Sequence, residues 1–341
     1  MTTQPQTARR ESPSHAAAAP RPVLDLKDAV ALIVGIIVGA GIFKAPSLVA
    51  KFTGSVEVMM AAWVLGGVVS ILGALCYAEI ATSHPNAGGE YHFLERAFGS
   101  DVARLFAWAR MTVVASGSIA IFAFVFADYL SALPWLRIVE HSSSIYAAVL
   151  IIALTAVNIA GINAGKTTQN LFTTLEVLGL VAIIVAGFFF AKPEVAAAPA
   201  AAPSGGVSMF GLAMVFVLLT YGGWNDAAYL SAEIKDGRRN IAKSLLLGLG
   251  LVTVLYLLVS LAYLSGLGLE GMAKSDAVAA DLLNRAWGGP GGTLIAVIVA
   301  IAALTSANYH THRRAHRLCA GARLAAVPFP RRMGRRQGRA A

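Results

Sequence analysis

Runs of about twenty apolar residues, separated by short polar stretches, dominate the chain. They lie at approximately 29–50, 56–80, 104–130, 144–161, 169–191, 207–233, 242–268 and 291–308. A helix of roughly 20 apolar residues crosses a bilayer core of about 30 Å, so each run predicts a transmembrane helix. None shows the strict two-residue alternation of a membrane β-barrel strand. A soluble fold would need a polar shell far larger than the remaining residues could build. The expected fold class is therefore all-α, a polytopic transmembrane helical bundle with about eight transmembrane helices.

Composition supports this pattern. Of the 341 residues, 57% are hydrophobic and 13% charged, against about 25% charged in a soluble domain. The net charge of +9 would suggest a nucleic-acid partner if it were spread over the chain, but it is local. Residues 309–341 hold nine Arg and no acid, which leaves 18 Lys+Arg against 18 Asp+Glu in residues 1–308. No nucleic-acid partner is expected. Two cysteines, Cys76 and Cys319, exclude a disulfide framework. The sequence holds no nucleophile–base pair, Walker motif or cluster of metal-ligand residues. It therefore points to no enzyme activity, no metal and no cofactor.

Orientation follows from the basic residues of the loops. With the N-terminus in the cytoplasm, the inner loops carry most of them, and Lys235, Arg238, Arg239 and Lys243 form the densest group. The Ala/Pro-rich stretch 193–203 is then an external linker, and Asp276–Trp287 reads as a short amphipathic helix on the outer surface. Residues 1–27 are polar, Ala/Pro-rich and lack an apolar signal-peptide core, so they read as a disordered cytoplasmic tail.

Two of the apolar runs contain glycines where a rigid helix would avoid them: Gly35-Ile36-Ile37-Val38-Gly39-Ala40-Gly41-Ile42-Phe43 and Tyr221-Gly222-Gly223-Trp224. Glycine inside a helix costs about 1 kcal/mol relative to alanine. It also frees the backbone to unwind and lets a ligand approach closely. Unwound backbone at membrane depth is tolerated only where it is buried in protein or lines a site. A broken helix can satisfy its bare groups with a ligand. The positive N-terminal end of one half attracts a carboxylate, and the carbonyls ending the other half accept from an ammonium. One break can thus hold both ends of a zwitterion. Close helix packing is the alternative explanation for Gly35 and Gly39. The breaks fall in the first and sixth helices, as expected of an inverted-repeat (5+5) transporter fold.

Four stretches carry a family likeness, running from about residue 28 to 308. Ile37–Ser47 resembles the opening motif of the amino acid–polyamine–organocation superfamily of permeases. Pro85–Tyr91, continuing to Arg96-Ala97-Phe98-Gly99, resembles its loop between helices two and three. Tyr221–Trp224 with Glu233–Asp236 resembles its sixth helix and the loop after it, and Ala307-Asn308 the end of its eighth. The resemblance implies secondary transport of an amino acid or related amine across the inner or plasma membrane by alternating access. It sets the substrate carboxylate against the backbone of Ala40, Gly41 and Ile42, and the ammonium near the carbonyls of Ile37 and Gly222. Tyr221, Trp224 and Asn225 would shape the side-chain pocket and a gate, and Gly39 and Gly223 complete the expected substrate-binding set.

The expected partners are therefore a small amino acid substrate, the lipid bilayer and, as a candidate coupling ion, a proton. Glu176 stands where proton-coupled relatives often have a lysine, which leaves the coupling ion open. Lys44, just past the first break, is expected to snorkel outward, with Glu79 or Glu176 as alternative partners. A channel or receptor-like membrane protein and a non-transporting remnant remain as rival readings.

Relatives continue past the eighth helix, whereas residues 309–341 read as an Arg-rich arm suited either to touching anionic lipid or to a slipped reading frame near Asn308. Shifted by one nucleotide with freely chosen codons, Tyr309–Val327 can spell a stretch like the one relatives carry there. The expected organisation is a 1–27 tail, a 28–308 permease domain lacking its last helices, and a 309–341 aberrant arm. Such a chain is expected to transport weakly or not at all.

Overall fold

A computed structural model describes residues 25–83, 90–136, 141–159, 166–190, 206–227, 234, 237–304 and 306–307. The 309–341 arm and nearly all of the 1–27 tail lie outside these residues, as do the 193–203 linker and most of the loop after the sixth helix.

The eight apolar runs appear as eight helical passes, termed spans 1–8 in chain order, among the described residues. Span 1 is split into α1 (Leu26–Ile37) and α2 (Ala45–Thr53). Span 2 is α3 (Val56–Ser83), followed by the short α4 (Glu90–Phe98). Span 3 joins α5 (Ser100–Ala109) to α6 (Ala115–Ser131) through a π-helical turn at Arg110–Val114. Span 4 is α7 (Ser142–Ile159). Span 5 is α8 (Lys166–Val185), ending in a second π-helical turn at Ala186–Phe190. Span 6 is split into α9 (Gly206–Thr220) and α10 (Trp224–Ala227). Span 7 lies in α11 (Gly237–Lys274), which kinks at Gly268, where φ is 68°. Then come α12 (Val278–Trp287) and span 8, α13 (Gly289–Leu304).

By length and composition, Val56–Ile80, Ser100–Ser131 and Asn240–Lys274 are each sufficient to cross a bilayer. The apolar helices Ser142–Ala156, Thr174–Phe190, Ser208–Thr220 and Gly289–Leu304 are shorter. Exposed Val64, Leu65, Val68, Leu72, Trp108, Ile152, Val215, Leu251 and Val254 clothe the outside of the bundle in hydrocarbon. Water would not tolerate so much exposed apolar surface on one chain, but a bilayer suits it.

The core sits where α1, α2, α3, α9 and α11 meet. Trp63, Tyr221 and Tyr256 pack there with ring centroids 5.1–6.1 Å apart, and all three are fully buried. Gly66 and Gly67 on α3 make that approach possible: a Cβ there would lie 2.2 Å from Val217 and 2.7 Å from Thr253. Small residues at a helix interface are how membrane bundles bring backbones close. A smaller cluster of Ala123, Ala127, Ala147, Leu150 and Leu154 joins α6 to α7. The amphipathic helix expected at Asp276–Trp287 is α12, but it does not merely rest on the surface. Val278, Ala279, Ala280, Leu282 and Leu283 are buried in the main core.

Candidate functional site

Both glycine-marked runs are interrupted, and the interruptions touch. Span 1 leaves the α-helix at Val38 (φ −71°, ψ 112°) and Gly39 (φ −146°, ψ −173°), makes a 3-10 turn at Ala40–Phe43 and resumes at Ala45. Ile42 donates its N–H to the Gly39 carbonyl at 3.4 Å, and Lys44 donates to Gly41 at 3.1 Å. Among the described residues no acceptor reaches the backbone N–H of Ala40 or Gly41, and Ala40 is fully buried. Span 6 breaks at Tyr221–Gly223, where Gly222 donates to the Leu219 carbonyl at 3.1 Å and Gly223 takes φ +108°.

A Cβ on Gly41 would touch Thr220 at 3.7 Å, and one on Gly223 would lie 3.0 Å from the Ile36 carbonyl oxygen. The Tyr256 hydroxyl lies between the breaks, 3.1 Å from the Ile37 carbonyl and 3.2 Å from the Thr220 carbonyl. Its single proton is shared between two acceptors, so each break has a bare carbonyl partly satisfied by one side chain. Gly39 lies beside α13's continuation, with Ser306 Oγ 3.8 Å from where its Cβ would be.

Of the ten residues expected to form the site, Ile37, Gly39, Ala40, Gly41 and Ile42 lie along the first break. Tyr221, Gly222 and Gly223 form the second, against the first. Trp224 and Asn225 diverge from this group. The Trp224 ring packs edge-on against Tyr77 of α3 at 5.6 Å, and the Asn225 side-chain amide donates to Glu90 of α4 at 2.9 Å. Glu90 also pairs with Arg110 in the π-turn of span 3. This second cluster ties the α10 end of span 6 to spans 2 and 3. Tyr221 turns its hydroxyl to the Trp63 carbonyl at 3.1 Å, deep in the packed core.

Tyr256 lies outside the glycine-marked runs and yet joins the two breaks. A polar hydroxyl halfway along the most apolar long span was the available signal, since polar groups at that depth need a partner. Lys44 also has a different partner from the two considered. Its ammonium meets Asp128 of α6 at 2.8 Å, while Glu79 is exposed and Glu176 is buried in α8.

The amino acid permease family model matches residues 24–339. The b(0,+)-type amino acid transporter 1 of Mus musculus is 32% identical over 292 residues, 83% of this chain and 59% of that protein. The Large neutral amino acids transporter small subunit 2 of Rattus norvegicus is 30% identical over 266 residues, 75% of this chain and 50% of that protein. The chain thus spans half to three-fifths of the length of these curated relatives. The match covers both broken spans and the helices around them, and on that ground the chain belongs to the amino acid permease family.

Proposed function

We propose that the protein carries an amino acid or related amine across a cell membrane, the inner or plasma membrane, by alternating access with its N-terminus in the cytoplasm. The observation that carries this reading is the pair of N–H groups of Ala40 and Gly41. They point from a break in mid-bundle and have no acceptor among the described residues. A substrate carboxylate supplies the missing acceptors, in the field of a helix N-terminal end. The ammonium falls to the carbonyl end of the first break at Ile37 and to Gly222, where it competes with the Tyr256 hydroxyl. Ile42 and Gly39 flank the carboxylate, Tyr221 and Gly223 close the other wall, and Trp224 and Asn225 act as a gate toward α3 and α4.

Because backbone groups grip what all amino acids share, selectivity has to come from side chains around the breaks. The names of the two relatives support an amino acid substrate. A proton is the candidate coupling ion. Glu176 would carry it, since it is buried with no cation paired to it among the described residues.

The test is a thermal-shift panel of amino acids on the purified chain, followed by uptake in proteoliposomes. A ligand that binds only the folded state raises the midpoint by mass action. A midpoint that no amino acid raises, together with uptake at the level of empty liposomes, would refute the reading in favour of a non-transporting remnant.

A further inference from the structure

Three elements distant in sequence meet at the start of the outer half of span 1. They are the start of α2, the end of α6 and the link between α11 and α12. The Lys44 ammonium contacts the Asp128 carboxylate at 2.8 Å, the Asp276 carbonyl at 2.8 Å and the Asp276 carboxylate at 3.5 Å. Beside it the Tyr129 hydroxyl donates to the Phe43 carbonyl at 2.7 Å and accepts from the Ala279 N–H at 3.1 Å. Ser47 donates to the Ser275 carbonyl at 2.7 Å.

The contacts of Lys44, Phe43 and Ser47 join the segment just after the first break to parts of the chain 80 or more residues away, and the Tyr129–Ala279 bond ties two of those parts to each other. The side chains of Lys44 and Asp128 are 17% and 15% exposed, whereas that of Asp276 is 91% exposed. The cluster therefore runs from nearly dry protein at Asp128 to water at Asp276. It lies just beyond the break, on its α12 side.

The sequence makes this arrangement costly. An ammonium one residue beyond a mid-bundle break needs a counter-charge, because a half-buried cation without one is expensive. Asp128 supplies it. Moving α2 away from α6 and α12 would separate that pair and expose the Phe43 carbonyl. The Coulomb cost of separation is moderate once water enters, since effective screening rises with exposure. A contact of this kind holds firmly when dry and loosens when wet, which suits a part that must open and reclose.

We infer that Lys44, Asp128 and Asp276 form an ionic clamp that closes the site on the α12 side, with Lys44 as the positioning residue that pins the outer half of span 1. The clamp deepens the transport reading and rests on it for its purpose. Its opening, however, can be measured without any uptake.

The experiment uses the full chain in proteoliposomes with Cys76→Ser and Cys319→Ser. It places one reporter at Ala45→Cys, buried next to the clamp, and another at Ala78→Cys, buried on α3. A membrane-impermeant thiol reagent is added from the α12 side. Lys44→Met and Asp128→Asn should each raise the labelling rate at position 45 by about tenfold or more, the order expected when a half-desolvated pair loses one member, and leave position 78 unchanged. Unchanged labelling at position 45 overturns the clamp.

If both reporters become reactive, the substitution has loosened the fold. Lys44→Arg and the exchanged pair Lys44→Asp with Asp128→Lys then decide. Restored protection at position 45 supports the clamp, and continued reactivity in both overturns it. An intact chain that transports nothing would sink the transport reading while leaving the labelling result to stand or fall on its own.

Discussion

At the first break the chain leaves α1 through extended backbone, and at the second it turns on a glycine in the left-handed region. Gly39, at φ −146°, holds a conformation open to any residue, and a Cβ on Gly41 would meet Thr220 at an ordinary 3.7 Å. Gly223, at φ +108°, is in a region that side chains rarely adopt, and its Cβ would press on the Ile36 carbonyl at 3.0 Å. The two clusters are thus held for different reasons. Gly223 is required by the fold itself. At Gly39 and Gly41 the fold would accept alanine, so the proposed approach of a ligand to the bare N–H groups is what would favour small residues there.

Four measurements break or sharpen this contrast. The largest effect is expected for Gly223→Ala. Left-handed backbone and the crowded carbonyl should cost about 1–3 kcal/mol, which lowers the thermal midpoint of the purified protein and removes uptake with it. A midpoint equal to that of the unsubstituted chain would mean the second break relaxes freely. Next comes Tyr256→Phe, which strips the hydroxyl from both break carbonyls. Leaving them unsatisfied should cost about 1–3 kcal/mol, read as a lower midpoint and looser coupling of the spans in hydrogen exchange. If the amides around Ile37 and Thr220 keep their protection, Tyr256 does not join the breaks.

Asn225→Ala removes one hydrogen bond from Glu90 and leaves Arg110 in place, so about 1 kcal/mol is expected. Its signature should be an uptake rate that changes more than the midpoint, as a gate contact would show. A purely packing role predicts the reverse ranking. Gly41→Ala is the smallest in stability, within about 0.5 kcal/mol. Its value lies in function: amino acid binding in the thermal-shift panel should weaken while the midpoint without ligand holds. Binding as tight as before would show that no carboxylate rests on that backbone.

Some of this was legible in the chain itself. The eight spans, the end of span 7 at Gly268 and the positions of both breaks follow from runs of apolar residues and from glycines within them. Other features were not. The π-turns at Arg110–Val114 and Ala186–Phe190 have no marker in the apolar pattern, because a one-residue widening of a helix leaves hydrophobicity unchanged. In sequence Trp224 and Asn225 adjoin Gly222 and Gly223, which places them with the pocket. In space they contact Tyr77 and Glu90, because after the break at the left-handed Gly223 the next side chains lie against α3 and α4.

By itself the sequence determined what is local: which stretches prefer lipid, where a helix cannot run straight, and which residues stand bare at the interruption. Those properties depend on hydrophobicity and backbone freedom within a few residues. Only the tertiary structure decided who satisfies whom. Lys44 finds Asp128 84 residues on, Asn225 finds Glu90 135 residues back, and Tyr256 reaches Ile37 across 219 residues. A charged or polar group in a bundle takes whichever partner helix packing brings within hydrogen-bond reach, and the spacing of residues along the chain does not encode that choice.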